Sequence, residues 1–351
     1  IIEFANVLVG RIPGGLAHTN IVASMFFGGI SGSAVADASA IGTILVPGMV
    51  RQGYAKDFSA ALTAAASTMG PIIPPSIFMV IMGVSTGISI GGMFAAGFVP
   101  GVLIGLSMMV LAYFMSVRRG YPRDERPFSF SRLWRAFLQA GPALFSPVII
   151  LGGILGGVFT ATEAASVAVL YATFLGFFVY RELKLKSLID IFISSGTTTA
   201  VLLFIIGTAN VFAWVITAEQ LPQQIASGLL GLTNNPLVIL LLLNLLLLMV
   251  GMFMEGGAAI IILAPTLLEI TKAVGIDPLH FGLVMVMNIV VGLLTPPVGV
   301  CLFVVCGISG LDLPKITKAV LPFLAVEIGV LLLITYWPGL ILFVPRLLGY
   351  S

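Results

Sequence analysis

Charge is what this sequence most lacks. Only 9% of its 351 residues are charged, against about 25% in an ordinary soluble domain, so a water-facing surface of normal solubility is excluded. Histidine and cysteine are scarce as well, at two each. His18 and His280 lie far apart near the ends of apolar segments and make no metal motif. Cys301 and Cys306 share one apolar segment at a spacing of five; on a helix they point to different faces and do not bridge. The net charge of +2 is dispersed along the chain and leaves no footprint for nucleic acid. No Met and no basic-then-apolar leader opens the chain, so it reads as a piece whose natural N-terminus lies upstream.

What the chain has is apolar surface. Hydrophobic residues make up 59%, and runs of helix-spanning length recur from end to end. A bilayer core takes roughly 20 residues per helix, which leaves room for about ten segments. The runs are continuous rather than alternating, which excludes a β-barrel. The expected class is an all-α polytopic membrane protein.

The basic residues orient the segments. Arg51 and Lys56, the group from Arg118 to Arg135, Arg181 with Lys184 and Lys186, and Lys315 with Lys318 together hold 13 of the 16 Lys and Arg. The positive-inside rule places all four groups on the cytoplasmic side. Apolar stretches at about 57–90 and 92–116, and again at 139–158 and 161–180, leave and return between these groups. Between Lys186 and Lys315 there are three, at about 188–218, 236–271 and 278–310, and three crossings would put Lys315 on the wrong side. The conflict disappears if 236–271, interrupted at Met254-Glu255-Gly256-Gly257, enters and leaves on the same side as a re-entrant hairpin. The stretch 19–49, broken at Gly28-Gly29-Ile30-Ser31-Gly32-Ser33, has the same character and opens to the cytoplasm, while 236–271 opens to the opposite face.

That arrangement requires an internal repeat, and one is present. Gly53 pairs with Gly275, Gly70 with Gly292, Pro74-Pro75 with Pro296-Pro297, and Pro100 with Pro322, each at an offset of 222. Hairpins opening to opposite faces make the copies inverted, and inverted repeats with interrupted helices point to a secondary transporter with its site at mid-membrane. The expected organisation is an interfacial or arm helix at 1–18, a first repeat at 19–116 and a cytoplasmic linker at 117–138. Scaffold or connecting helices follow at 139–187, and a second repeat at 188–351. Segments near 92–116, 139–180 and 314–338 serve as scaffold or arm elements.

Non-helical backbone at membrane depth must be buried in protein or line a wet cavity. Proline removes a donor and frees a carbonyl. Freed carbonyls and hydroxyls are hard oxygen ligands for a small cation, and half-helix N-termini attract an anionic group. Two cation sites follow from the repeat. Ser31, Gly32 and Ser33 would face Gly70 and Ile73, and Gly256 and Gly257 would face Gly292 and Thr295. Asp37 follows Ser33 by one turn; a carboxylate inside a membrane costs at least about 2.5 kcal/mol, which makes it a functional candidate. Ser33, Asp37 and Ser76 are the candidate substrate contacts. Glu255 is as readily a helix cap, and Glu163 reads as an N-terminal helix charge. Asn210, Trp214, Asn244 and Asn288 read as interhelical hydrogen-bonding or packing groups. Trp134 and Phe137 suit a membrane interface. Gly29-Ile30-Ser31-Gly32 also fits the pattern of rhomboid intramembrane serine proteases, but neither histidine lies mid-helix and proteolysis leaves the repeat unexplained. On the residues alone, sodium and proton coupling both stand open.

Four strings together resemble the large membrane subunit of tripartite ATP-independent periplasmic (TRAP) transporters. They are Phe26 to Asp37 (FFGGISGSAVAD), Gly70 to Ser76 (GPIIPPS), Phe159 to Ala164 (FTATEA) and Gly292 to Gly299 (GLLTPPVG). The likeness runs essentially the whole length, without the family's extra N-terminal scaffold helices. The resemblance implies sodium-driven, elevator-like uptake of a C4-dicarboxylate, a sialic acid or another carboxylate across the bacterial inner membrane. It implies a soluble periplasmic substrate-binding protein and a small four-helix membrane subunit as partners, the lipid bilayer as surroundings, and Na+ as coupling ion with no organic cofactor. The main alternative is a stand-alone divalent-anion/sodium symporter that needs no binding protein.

Overall fold

The computed structural model describes residues 1–219 and 235–350, and every regular element among them is helical. In order these are α1 (Ile2–Val9), α2 (Gly15–Ser31), α3 (Ala34–Arg51), α4 (Lys56–Ser67), α5 (Ile77–Thr86), α6 (Ile90–Arg119), α7 (Phe130–Leu155) and α8 (Ala161–Phe174). After them come α9 (Leu185–Ala218), α10 (Pro236–Phe253), α11 (Gly256–Ala273), α12 (Pro278–Gly292), α13 (Val300–Ser309), α14 (Leu313–Tyr336) and α15 (Pro338–Leu347). A π-helical turn, Leu175–Val179, extends α8. Eight helices among the described residues are long and apolar enough to cross a membrane. The chain is a multi-pass membrane protein.

The helix breaks fall where Gly and Pro dictate. The stretch 19–49 divides at Gly32, which takes a left-handed conformation (φ 64°), and Ser33 caps α3 by accepting from Ala36 N. The stretch 236–271 divides at Met254-Glu255, where Glu255 caps α11 by accepting from Ala258 N. Between α4 and α5, and between α12 and α13, lie the Pro-Pro segments, with cis peptides at Pro74-Pro75 and Pro296-Pro297. Three boundaries differ from the sequence expectation. The linker is shorter than 117–138, because α6 runs to Arg119 and α7 starts at Phe130. The first 18 residues are not one helix: α1 ends at Val9 and α2 begins at Gly15. The chain closes on two helices, because Trp337-Pro338 separates α14 from α15.

The two halves share part of their packing. The broken helix α4 lies on α2, α3, α13 and α14, and α12 lies on α10, α11, α14 and α6. The second halves of the broken helices are exchanged, with α13 against α3 and α5 against α11. Phe58, Phe94, Phe281 and Phe323 are among the largest fully buried side chains, and α12 is buried from His280 to Gly292. The basic loops gather at one end. Tyr54 Oη donates to Pro122 O and accepts from Leu16 N, the Tyr54 and Tyr121 rings stand 4.4 Å apart, and Arg119 lies over the Phe58 ring. Arg132 binds Glu3 at 2.7 Å, and Glu3 lines a cavity with Gln139, Tyr180 and Glu182. Ile1 also lines that cavity, which brings the loop before α9 to this end.

Candidate cation and substrate site

At the α2–α3 break the chain turns a carboxylate inward. Asp37 sits in the first turn of α3, fully buried, and accepts from Ser31 Oγ through Oδ1. Ser33 N donates to the same hydroxyl oxygen at 3.2 Å. Asp37 caps no backbone N–H here, because Ser33 performs that role. The other oxygen, Oδ2, is buried without a hydrogen-bond partner among the described residues. A carboxylate so placed draws on the positive end of α3 and keeps acceptor capacity free.

Gly70 of the first Pro-Pro segment closes on this group. A Cβ on Gly70 would overlap Asp37 Oδ2, and one on Gly28 would stand 2.7 Å from Gly70 Cα. Only glycine permits this approach. Past Gly70 the chain winds in tight turns: Ile72 N and Ile73 N both donate to Met69 O. Among the described residues no hydrogen bond reaches Gly70 O or Ile73 O. Gly32 lies over Pro75 O and Ile77 N instead, so the tip residues spread along the segment. The structure thus brings Ser31, Ser33, Asp37 and Gly70 together, with a free carbonyl and a free carboxylate oxygen, while Ile73 packs against Gly101 and reaches toward Gly29.

Ser76 is buried, but its hydroxyl is already engaged. It donates to Pro71 O at 2.5 Å and accepts from Met79 N, capping α5. That geometry serves the helix start first, and its oxygen faces the segment rather than open space.

The second break differs from the sequence expectation. The nearest neighbours of Gly292 belong to Gly251 rather than to Gly256 and Gly257. A Cβ on Gly292 would overlap the backbone of Gly251, one turn before the break, and one on Gly251 would stand 3.1 Å from Gly292 Cα. Gly256 packs against Phe78 and Ile289, and Gly257 against Ile81 and the Glu255 carboxylate. The reason lies in helix geometry: the close approach is made by the last turn of the leading helix, as Gly28 makes it in the first half. Thr295 is buried and donates to Val291 O at 2.7 Å, leaving its oxygen lone pairs open. Gly292 O accepts from Thr295 N.

The remaining polar residues have structural employment. Glu163 completes a capping box with Thr160. Asn288 donates to Asn244 at 2.6 Å, and Asn244 donates to Thr335 at 3.1 Å. His280 Nε2 faces Ile334 O at 3.0 Å. Trp134, Phe137 and Trp214 are exposed, and the Asn210 side chain lies outside the described residues. Sequence reasoning missed Gly28 and Gly251 as partners of the broken segments. It also passed over Glu327, a buried carboxylate on α14; a lone acidic residue inside an apolar helix was the available signal.

With this geometry in place, comparison with known proteins decides the family. Residues 1–340 match the DctM component of tripartite ATP-independent periplasmic transporters. The chain belongs to this family. It is 45% identical over 355 residues to the sialic acid TRAP transporter large permease protein SiaM of Vibrio cholerae, covering all of this chain and 82% of that protein. It is 44% identical over 352 residues to the C4-dicarboxylate TRAP transporter large permease protein DctM of Pseudomonas aeruginosa, with the same coverage. It is also 44% identical over 343 residues to the isethionate TRAP transporter permease protein DctMQ of Oleidesulfovibrio alaskensis. That match takes in 98% of this chain, which spans about half, 54%, of the relative's length. These relatives are transporter permease proteins and not enzymes, which removes the protease reading of Gly29 to Gly32.

Proposed function

We propose that this chain is the large permease subunit of a sodium-coupled importer of an organic acid. The acid is handed over by a periplasmic substrate-binding protein and carried across the bacterial inner membrane by an elevator-type movement. A small four-helix membrane subunit, implied by the family resemblance, enlarges the scaffold. The names of the relatives bring sialic acid, C4-dicarboxylate and isethionate to this chain as substrate classes, and all are anions.

One observation carries the reading: a buried Asp37 with a free oxygen, held by Ser31 and closed by Gly70, whose carbonyl accepts no hydrogen bond among the described residues. Hard oxygens and one negative charge in a confined space suit a small hard cation, and in this reading Ser31, Gly32, Ser33, Gly70 and Ile73 hold sodium. The second site of this reading lies at the α10–α11 break: Gly251 closes on Gly292, Gly256 and Gly257 begin α11 beside Ile289 and Ile81, and Thr295 supplies the hydroxyl ligand. Asp37 supplies the charge that holds the cation, and Ser33, Asp37 and Ser76 border the substrate end, Ser76 through the start of α5 because its hydroxyl already serves Pro71 O and Met79 N. Bound sodium offsets the charge of the acid before the mobile elements cross. Each net positive charge moved inward gains about 2.3 kcal/mol per 100 mV of inside-negative potential.

The test is uptake into proteoliposomes holding the permease, the small subunit and a sodium gradient. Uptake is expected only when the binding protein is added, and Ser33→Ala and Asp37→Ala are expected to abolish it in folded protein. Undiminished uptake by both variants rejects the first site; uptake without the binding protein favours a stand-alone symporter.

A further inference from the structure

Glu327 has no part in the sites described so far, yet it is 1% exposed and lies on α14 at its contact with the end of α4. Its Oε1 stands 2.6 Å from Thr68 Oγ1, and its Oε2 is buried with no partner among the described residues. Thr68 Oγ1 is also 2.6 Å from Ala65 O. A hydroxyl has one hydrogen to give, and here two oxygens lie at hydrogen-bonding distance. Ala65 O is a carbonyl and can only accept. If Thr68 gives its hydrogen to Ala65 O, the short contact to Glu327 is a bond only when the carboxyl donates.

The surroundings agree. On the elements packed against α14, Lys56 and Asp57 stand at the start of α4, about 18 Å along the helix from Thr68. Arg118 and Arg119 end α6, Arg346 lies in the last turn of α15, and His280 of α12 is engaged with Ile334 O. On α14 itself Lys315 and Lys318 lie in its first turns. Cys301 of α13 is buried and carries no cation to this site. Among the described residues no cation pairs with Glu327, and a buried anion without a partner is costly. Nor does the fold require the pair. At the repeat offset of 222, the counterpart of Glu327 is Gly105 and that of Thr68 is Val290.

We propose that Glu327 is a proton-binding site: its carboxyl carries a proton donated to Thr68 Oγ1, which donates on to Ala65 O. The proton joins α14, from the second half, to the turn that opens the first Pro-Pro segment. Raising the pH enough to remove it leaves an anion against that turn. Between the pH at which an exposed carboxyl ionises and the pH at which Glu327 loses its proton, the folded state holds a proton that the unfolded chain has lost, so stability falls as pH rises through that window.

Infrared spectroscopy of the purified protein in lipid, near pH 7, tests this without reference to the transported acid. A carbonyl stretch of a protonated carboxylic acid is expected, lost in Glu327→Gln and retained in Asp37→Asn. Thr68→Val, which keeps the acid but removes its acceptor, is expected to shift the band upward. Glutamine can donate as the neutral acid does, so Glu327→Gln is expected to fold and to flatten the fall of Tm with pH. A spectrum in which Glu327→Gln removes only an ionised carboxylate band overturns the proposal. So does a protonated band that appears only when sodium is withdrawn, which would assign the group to a cation.

Discussion

At residue 70 the space left for a side chain is taken by a carboxylate oxygen, and at residue 48 it is open. A methyl on Gly70 overlaps Asp37 Oδ2, whereas nothing lies within 4 Å of one on Gly48. Gly70→Ala is expected to cost about 1–3 kcal/mol through overpacking and to abolish uptake. Gly48→Ala, inside α3, is expected to gain about 0.5–1 kcal/mol from helix propensity alone. Thermal unfolding of both variants in one detergent checks the pair, and equal shifts would contradict the close approach. The sequence exposed much of this locality. An acidic residue one turn past a Gly-Ser tip is conspicuous in apolar surroundings, and so is a glycine joined to Pro-Pro. Which glycine meets Gly292 was not readable, because that depends on the rotation of α10 about its axis. Ser76 was legible as a helix start, but not that its hydroxyl already serves Pro71 O and Met79 N.

Element boundaries followed local chemistry at the four central breaks and departed from it at the linker, between α1 and α2, and at Trp337-Pro338. Breaks at Gly32-Ser33, Glu255 and the two Pro-Pro segments lie where caps and proline put them. The linker misplaced the start of α7, because polar and basic residues at 130–138 read as loop although they form its first turns. In the loop itself, Asp124 gathers Asn6 Nδ2 at 3.2 Å, Arg126 at 2.8 Å and Arg132 at 3.4 Å, while Arg132 also reaches Glu3. Hydrogen bonds from Arg126 hold the Asp124 carboxyl well below the usual range. A depressed acid stabilises the fold above its unfolded pKa, about 3.9, and that share is lost as pH falls through the lower folded value. Asp124→Asn is therefore expected to lower Tm modestly at neutral pH, with the difference from the parent shrinking below about pH 4. A difference that persists unchanged in acid would show that packing, not charge, ties α1 to the loop.

On the scale of the whole molecule the two halves are interlocked, each lending the end of its broken helix to the other. The offset of 222 sets α4 against α12 and α5 against α13 in the sequence. Their exchange across the halves was beyond its reach, since a spacing says nothing of which neighbours touch. Sodium coupling is the claim on which the functional account rests, and sodium flux during uptake in proteoliposomes tests it most directly. With the binding protein present, radioactive sodium is expected to enter with the acid. Asp37→Asn is expected to stop both fluxes, and Thr295→Ala to raise the sodium concentration for half-maximal uptake several-fold. Uptake that proceeds equally well when potassium replaces sodium, with no accompanying sodium entry, would contradict the account.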